Sequence, residues 1–132
     1  MKRVIIESPY AGNDVEVKIN EIYGEFAIYD CLVNYNETPY ASHLLYTRKY
    51  VLNDKNPEER KLGIEAGFYW REAAEDTIFY IDLGITEGMT KGMRNCTEKK
   101  TPFQVREFSK DLWDKFMKAC KEEGLEILER SE

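Results

Sequence analysis

Short runs of consecutive apolar residues alternate along this chain with longer stretches whose apolar residues recur every three or four positions. Arg3 to Glu7 (RVIIE) is a β-branched run cut off by Ser8, Pro9, Ala11 and Gly12, which predicts a strand and then a loop. Asn13 with Glu16 has the spacing of a capping box. From there Val15, Ile19, Ile22, Phe26 and Val33, with an extra turn at Tyr29, predict a helix over about Asp14–Val33 with those residues inward. Glu37–Asp54 reads as a short strand leading into a long loop with one helical turn.

Asn56-Pro57-Glu58-Glu59 starts a second helix, with an Asn cap, Pro in the first turn and Glu at the third position. Its predicted inward face is Leu62, Ala66, Tyr69 and Ala73. Gly63 and Gly67, four apart, strip one side of it of bulk, which predicts close packing on a sheet. Thr77–Asp82 (TIFYID) is the next strand, Thr86–Cys96 a glycine-punctuated helix, and Pro102–Phe108 a further strand. Ser109 caps a last helix with Leu112, Trp113, Phe116, Ala119 and Cys120 on its apolar face, and Gly124 ends it. Leu125–Leu128 is read as a final edge strand.

Strand and helix therefore alternate, with no internal repeat and no linker. That order predicts one α/β domain over residues 1–132, a small Rossmann-like three-layer sandwich. Its sheet should be mostly parallel, of four to five strands, flanked by helices. Val4-Ile5-Ile6 and Ile78-Phe79-Tyr80, apolar on successive residues, should be the central strands. Ligands in such sheets bind beyond the strand carboxyl ends, at the switch in strand order. Three segments qualify: Glu7–Gly12, Ser42–Tyr46 and Asp82–Met89.

Composition narrows the partners. The 132 residues carry 19 Lys and Arg against 25 Asp and Glu, a formal charge of −6, with no basic stripe; nucleic acid is not an expected partner. Cys31, Cys96 and Cys120 are widely spaced with no CxxC pair, so reduced, buried thiols are expected rather than disulfides or a zinc site. With a single histidine, His43, no metal-ligand cluster is visible, and no cofactor is implied. No apolar stretch reaches the ~20 residues of a membrane span, and the first residues lack a signal-peptide apolar region, so a cytoplasmic location is expected.

Within the three segments, Asp82 closes a strand while Gly84, Thr86, Gly88 and Met89 open a helix. Backbone donors there suit a phosphate and Asp82 suits a ribose hydroxyl, or the segment is only a tight turn capped by Asp82. Ser8, Pro9 and Tyr10 allow close approach of a ligand, with Tyr10 as a stacking ring. His43, beside Ser42 and Tyr46, is either a hydrogen-bonded structural residue or a ligand contact. Trp70 is expected in the core. Arg60 either reaches a phosphate or pairs with Glu58 or Glu59.

The segments IIESPYAG, PYASHLLYT, PEERKLGIEAGFYW and FYIDLGITEGMTKGM resemble a family of small, largely phage-encoded proteins. That family is in turn similar to the nucleoside 2-deoxyribosyltransferase-like fold, a Rossmann-like domain acting on nucleosides and nucleotides. The resemblance covers most of the chain up to about Phe108. It implies that Ser8, Pro9 and Tyr10 lie against a nucleoside, and that the protein forms homo-oligomers. It also implies a nucleotide-like ligand such as an ADP-ribose derivative, sequestered in the host cytoplasm as an antiviral signal. The transferases carry a catalytic glutamate on the helix after the later strand, where this chain has Thr90-Lys91-Gly92. Glu87 lies a turn early and Glu7 comes from the first strand; these are the carboxylates an N-glycosidase or deoxyribosyltransferase would have to use. The expectation is a binding protein that does not cleave glycosidic bonds.

Overall fold

The computed structural model describes residues 1–127 and 130. Four strands, β1 (Lys2–Glu7), β2 (Glu37–Tyr40), β3 (Asp76–Tyr80) and β4 (Phe103–Arg106), form one all-parallel sheet in the order β2-β1-β3-β4. Five helices flank it: α1 (Asp14–Asn34), the single turn α2 (Ser42–Leu45), α3 (Pro57–Arg71), α4 (Glu87–Lys99) and α5 (Lys110–Glu122). This is the small α/β Rossmann-like sandwich that the alternation of elements predicts. β1 and β3 are central and pair in parallel, Val4 opposite Asp76 and Ile6 opposite Ile78.

The helix starts are local and obey the capping chemistry. Asn13 Oδ1 accepts from Glu16 N at 2.9 Å while Asn13 N donates to Glu16 Oε1 at 3.1 Å. Asn56 Oδ1 accepts from the backbone of Glu58 and Glu59, Thr86 Oγ1 from Met89 N, and Ser109 Oγ from Leu112 N.

Successive residues of a strand face opposite sides, so each central strand divides its side chains between two layers. Val4, Ile6, Ile78 and Tyr80 join Tyr23, Ala27, Phe108, Trp113 and Phe116 in the core under α1 and α5. Phe116 is fully buried, its ring 5.4 Å from Tyr23 and 5.3 Å from Trp113. On the same side Arg106 of β4 reaches across to Glu37 of β2 with two bonds of 2.8 and 3.1 Å, and its Nη1 donates to Tyr80 Oη. The opposite side carries Glu7 and Phe79, the latter packed with Met89 and Cys96 of α4. All three cysteines are buried and free.

Several faces differ from the expected ones. Val15, Tyr29 and Val33 of α1 are exposed, and its inward face is Ile22, Tyr23, Ala27, Asp30 and Cys31. Hydrogen bonds make Asp30 acceptable there: Tyr80 Oη and Asn34 Nδ2 donate to its two oxygens. Leu62 and Tyr69 of α3 are exposed as well, and Ala73 lies exposed in the turn beyond the helix. The glycine side faces in, and it packs on α2 rather than on the sheet: a Cβ on Gly67 would lie 2.5 Å from Ser42 Oγ. Trp70 is half exposed, not core; it stacks on Tyr40 and donates from Nε1 to Tyr46 Oη. Leu125–Ile127 form no strand, and Leu128 lies outside the described residues. Among the described residues no helix is long and apolar enough to cross a membrane.

Candidate ligand-binding site

The strand order reverses between β1 and β3: the chain leaves β1 toward β2 on one side and enters β3 and β4 on the other. At the carboxyl ends of these strands lies a cavity of about 320 Å³. Its wall comes from the end of β1 and the loop after it (Glu7, Ser8, Tyr10, Ala11), from α2 and its loop (Ser42, His43, Tyr46, Leu52, Asp54), from α3, and from the start of α4 (Thr86 to Met89). The three segments picked from the sequence thus share one cavity. A second hollow of about 370 Å³, between α3 and α4, touches none of the strand ends.

Not every expected residue faces this space. Pro9 is buried and Gly84 shapes the turn at φ 96, a left-handed conformation open to glycine; neither lines the cavity. Asp82 lies on the other side of the sheet. It follows Ile78 and Tyr80 at intervals of two, so the strand's alternation carries it toward α1 and α5. There it is fully buried, accepting from Tyr23 Oη at 2.7 Å, Phe108 N at 3.0 Å and Arg130 Nε at 2.6 Å. Asp82 therefore holds the turn and is not a ribose ligand.

Ser8, His43 and Glu7 face the cavity. Ser8 Oγ and His43 Nε2 are 2.7 Å apart, and His43 Nδ1 is buried with no hydrogen bond. Burial pushes the His43 pKa down to about 4, so the ring is neutral at pH 7. Among the described residues no carboxylate orients the imidazole, which leaves the pair without the third member of a nucleophilic triad. Glu7 Oε1 is held by Arg71 Nη2 at 2.7 Å, and the Arg71 side chain is only 1% exposed. Burial pushes the Glu7 carboxyl pKa up, while the charge of Arg71 and its hydrogen bond pull it back.

Arg71 is not among the residues that the sequence singles out. Its guanidinium also donates to Gly92 O and to Asn95 Oδ1, and a Cβ on Gly92 would lie 3.3 Å from Arg71 Nη2. The glycine in α4 thus makes room for the group that fixes Glu7. One signal was present: Gly63, Gly67 and Arg71 are spaced by four and lie on one stripe of α3, the stripe without bulk. Arg60, also on the cavity wall, pairs with Asp54 at 2.7 Å rather than with Glu58 or Glu59. Glu87 stands at the rim, its side chain 87% exposed and 3.6 Å from Lys91. Among the described residues no group of three or more His, Cys, Asp or Glu is placed to hold a metal ion.

Residues 2–106 match a family described as a domain of unknown function (DUF7768), and the chain belongs to that family. The match takes in all four strands and every loop of the cavity and ends before α5. No curated protein matches the chain, and no solved structure does.

Proposed function

We propose that this protein binds a nucleoside- or nucleotide-like ligand in the cavity at the β1/β3 switch point and holds it without converting it. The observation that carries this reading is the convergence of Ser8, Tyr10, Ser42, His43, Tyr46, Thr86, Gly88 and Met89, from three separate segments, on one cavity. Its size, about 320 Å³, is at the lower end of the ~300–1,000 Å³ typical of small-ligand sites and suits one nucleoside unit better than an ADP-ribose. Tyr10 supplies a ring for a base, the Ser8–His43 pair a hydroxyl and an imidazole edge, and Glu7 an acceptor for sugar hydroxyls. Sequestration of a host nucleotide signal, the role that the phage-protein resemblance implies, is one use of such a site.

A second reading has its own observation. Glu7 is a cavity-lining carboxylate with a raised pKa, held in place by a buried arginine, and such groups mark catalytic sites. Under that reading Glu7 serves an N-glycosidase or deoxyribosyltransferase, and the exposed Glu87 does not.

Calorimetric titration with nucleosides and nucleotides, beside chromatography of the same mixtures for free base, separates the two. Saturable binding with the ligand recovered intact supports the first. Base release that vanishes in Glu7→Gln establishes the second. Absence of binding by every nucleoside and nucleotide overturns both.

A further inference from the structure

The charges on the cavity wall point to the kind of ligand it accepts. Four carboxylates line it, Glu7, Asp54, Glu59 and Glu87, against two cations, Arg60 and Lys91. Both cations already have acidic partners: Arg60 Nη1 lies 2.7 Å from Asp54 Oδ2, and Lys91 Nζ 3.6 Å from Glu87 Oε1. Arg71, behind the wall, is committed to Glu7. At the start of α4, the natural place for a phosphate, one backbone donor is already used and the first turn is acidic. Thr86 Oγ1 takes the Met89 N–H, and Glu87 sets its own negative charge in the first turn. The Lys91–Glu87 pair is exposed and easily screened. Asp54 and Arg60 are more sheltered, with side chains 25% and 39% exposed, and their contact is short.

We infer that the Arg60–Asp54 pair makes the cavity select uncharged nucleosides over their phosphorylated forms. This rests on the nucleoside-binding reading above. A phosphate entering the cavity would meet Glu59 beside three carboxylates already paired with cations, and would gain Arg60 only by taking it from Asp54. A nucleoside needs only the hydrogen-bond donors and acceptors and the ring that the wall offers. Discrimination of this kind works against the wrong ligand by repulsion and unrewarded desolvation.

The test is calorimetric titration of the full chain with adenosine, guanosine, cytidine and uridine, each beside its 5′- and 3′-monophosphates. The best-bound nucleoside should bind about ten-fold or more tightly than its monophosphates. Asp54→Asn keeps the shape and frees Arg60, so it should narrow that gap to roughly three-fold or less. Arg60→Gln removes the cation and leaves Asp54 charged, so it should keep the gap or widen it. Wild-type binding of monophosphates as tight as, or tighter than, that of the nucleosides overturns the inference and leaves the nucleoside- or nucleotide-binding reading standing. A gap unchanged in Asp54→Asn, or narrowed equally by Arg60→Gln, removes the pair as the determinant. Failure of every nucleoside and monophosphate to bind overturns the binding reading itself, and the inference with it.

Discussion

The two sides of the sheet are built on opposite plans. Under α1 and α5, Tyr23, Phe108, Trp113 and Phe116 pack ring against ring, and each buried polar group is tied down: Asp82 by Tyr23, Phe108 and Arg130, Glu37 by Arg106. Toward α3 and α4 the strand ends open onto a cavity, glycines replace side chains along α3, and His43 Nδ1 on the cavity wall is buried with no partner among the described residues. Satisfied groups and dense packing hold a fold. Unsatisfied groups around an open space leave something for a ligand to complete.

If that division holds, substitutions on the two sides should fail in different ways. The largest effect should come from Phe116→Ala, which empties a fully buried site among four rings. It should cost about 3–5 kcal/mol in denaturant unfolding. Asp82→Asn should cost about 1–3 kcal/mol by weakening the bonds from Tyr23, Phe108 and Arg130. Its nucleoside affinity, measured well below the melting temperature, should stay within about two-fold of wild type. A large affinity loss in a still-folded Asp82→Asn would erase the distinction between the sides. Tyr10→Ala should weaken nucleoside binding roughly ten-fold, and because its ring also packs against the core it should lower the melting temperature less than Phe116→Ala does.

A further effect is a pH dependence. Folding lowers the His43 pKa from 6.5 to about 4, so the unfolded chain binds the proton that the native ring refuses. This contribution to stability is complete above the unfolded value and is lost as pH falls from 6.5 toward 4. Glu7, whose pKa folding raises, takes up its proton earlier in the native state and partly offsets the loss. Melting temperatures of His43→Gln should therefore decline less steeply with acid than those of wild type. Parallel curves would mean that His43 is not desolvated.

What was legible in the sequence was what neighbouring residues decide. Asn13 with Glu16, and Asn56 with Pro57, mark helix starts through contacts a few residues long. Consecutive apolar residues at Val4–Ile6 and Ile78–Tyr80 mark strands covered on both faces. The switch-point rule then found the cavity. Legibility failed where a residue's surroundings come from far along the chain. Nothing near Arg71 announces Glu7 or Gly92, and nothing near Asp30 announces Tyr80. The inward face of α3 is hidden from the sequence because Leu62 and Tyr69 outweigh two glycines on a hydrophobicity count, while the glycine stripe is what lets α2 approach. Asp82 is a different case: counting by twos from Ile78 already carries it away from Glu7's side of the sheet.

The strand order has a consequence in time. β1 is made before every strand it pairs with, and its central partner β3 follows only after α1, β2, α2 and α3. Until Asp76–Tyr80 arrives, Val4, Ile5 and Ile6 are an apolar strand with at most one neighbour, β2. Closing so long a loop must be paid in chain entropy before the pairing gives anything back, and parallel sheets of this kind fold slowly for that reason. During that interval the nascent chain offers a β-branched edge to any other chain in the same state. Crowded refolding should therefore lose material to aggregation in proportion to concentration, while dilute refolding recovers it.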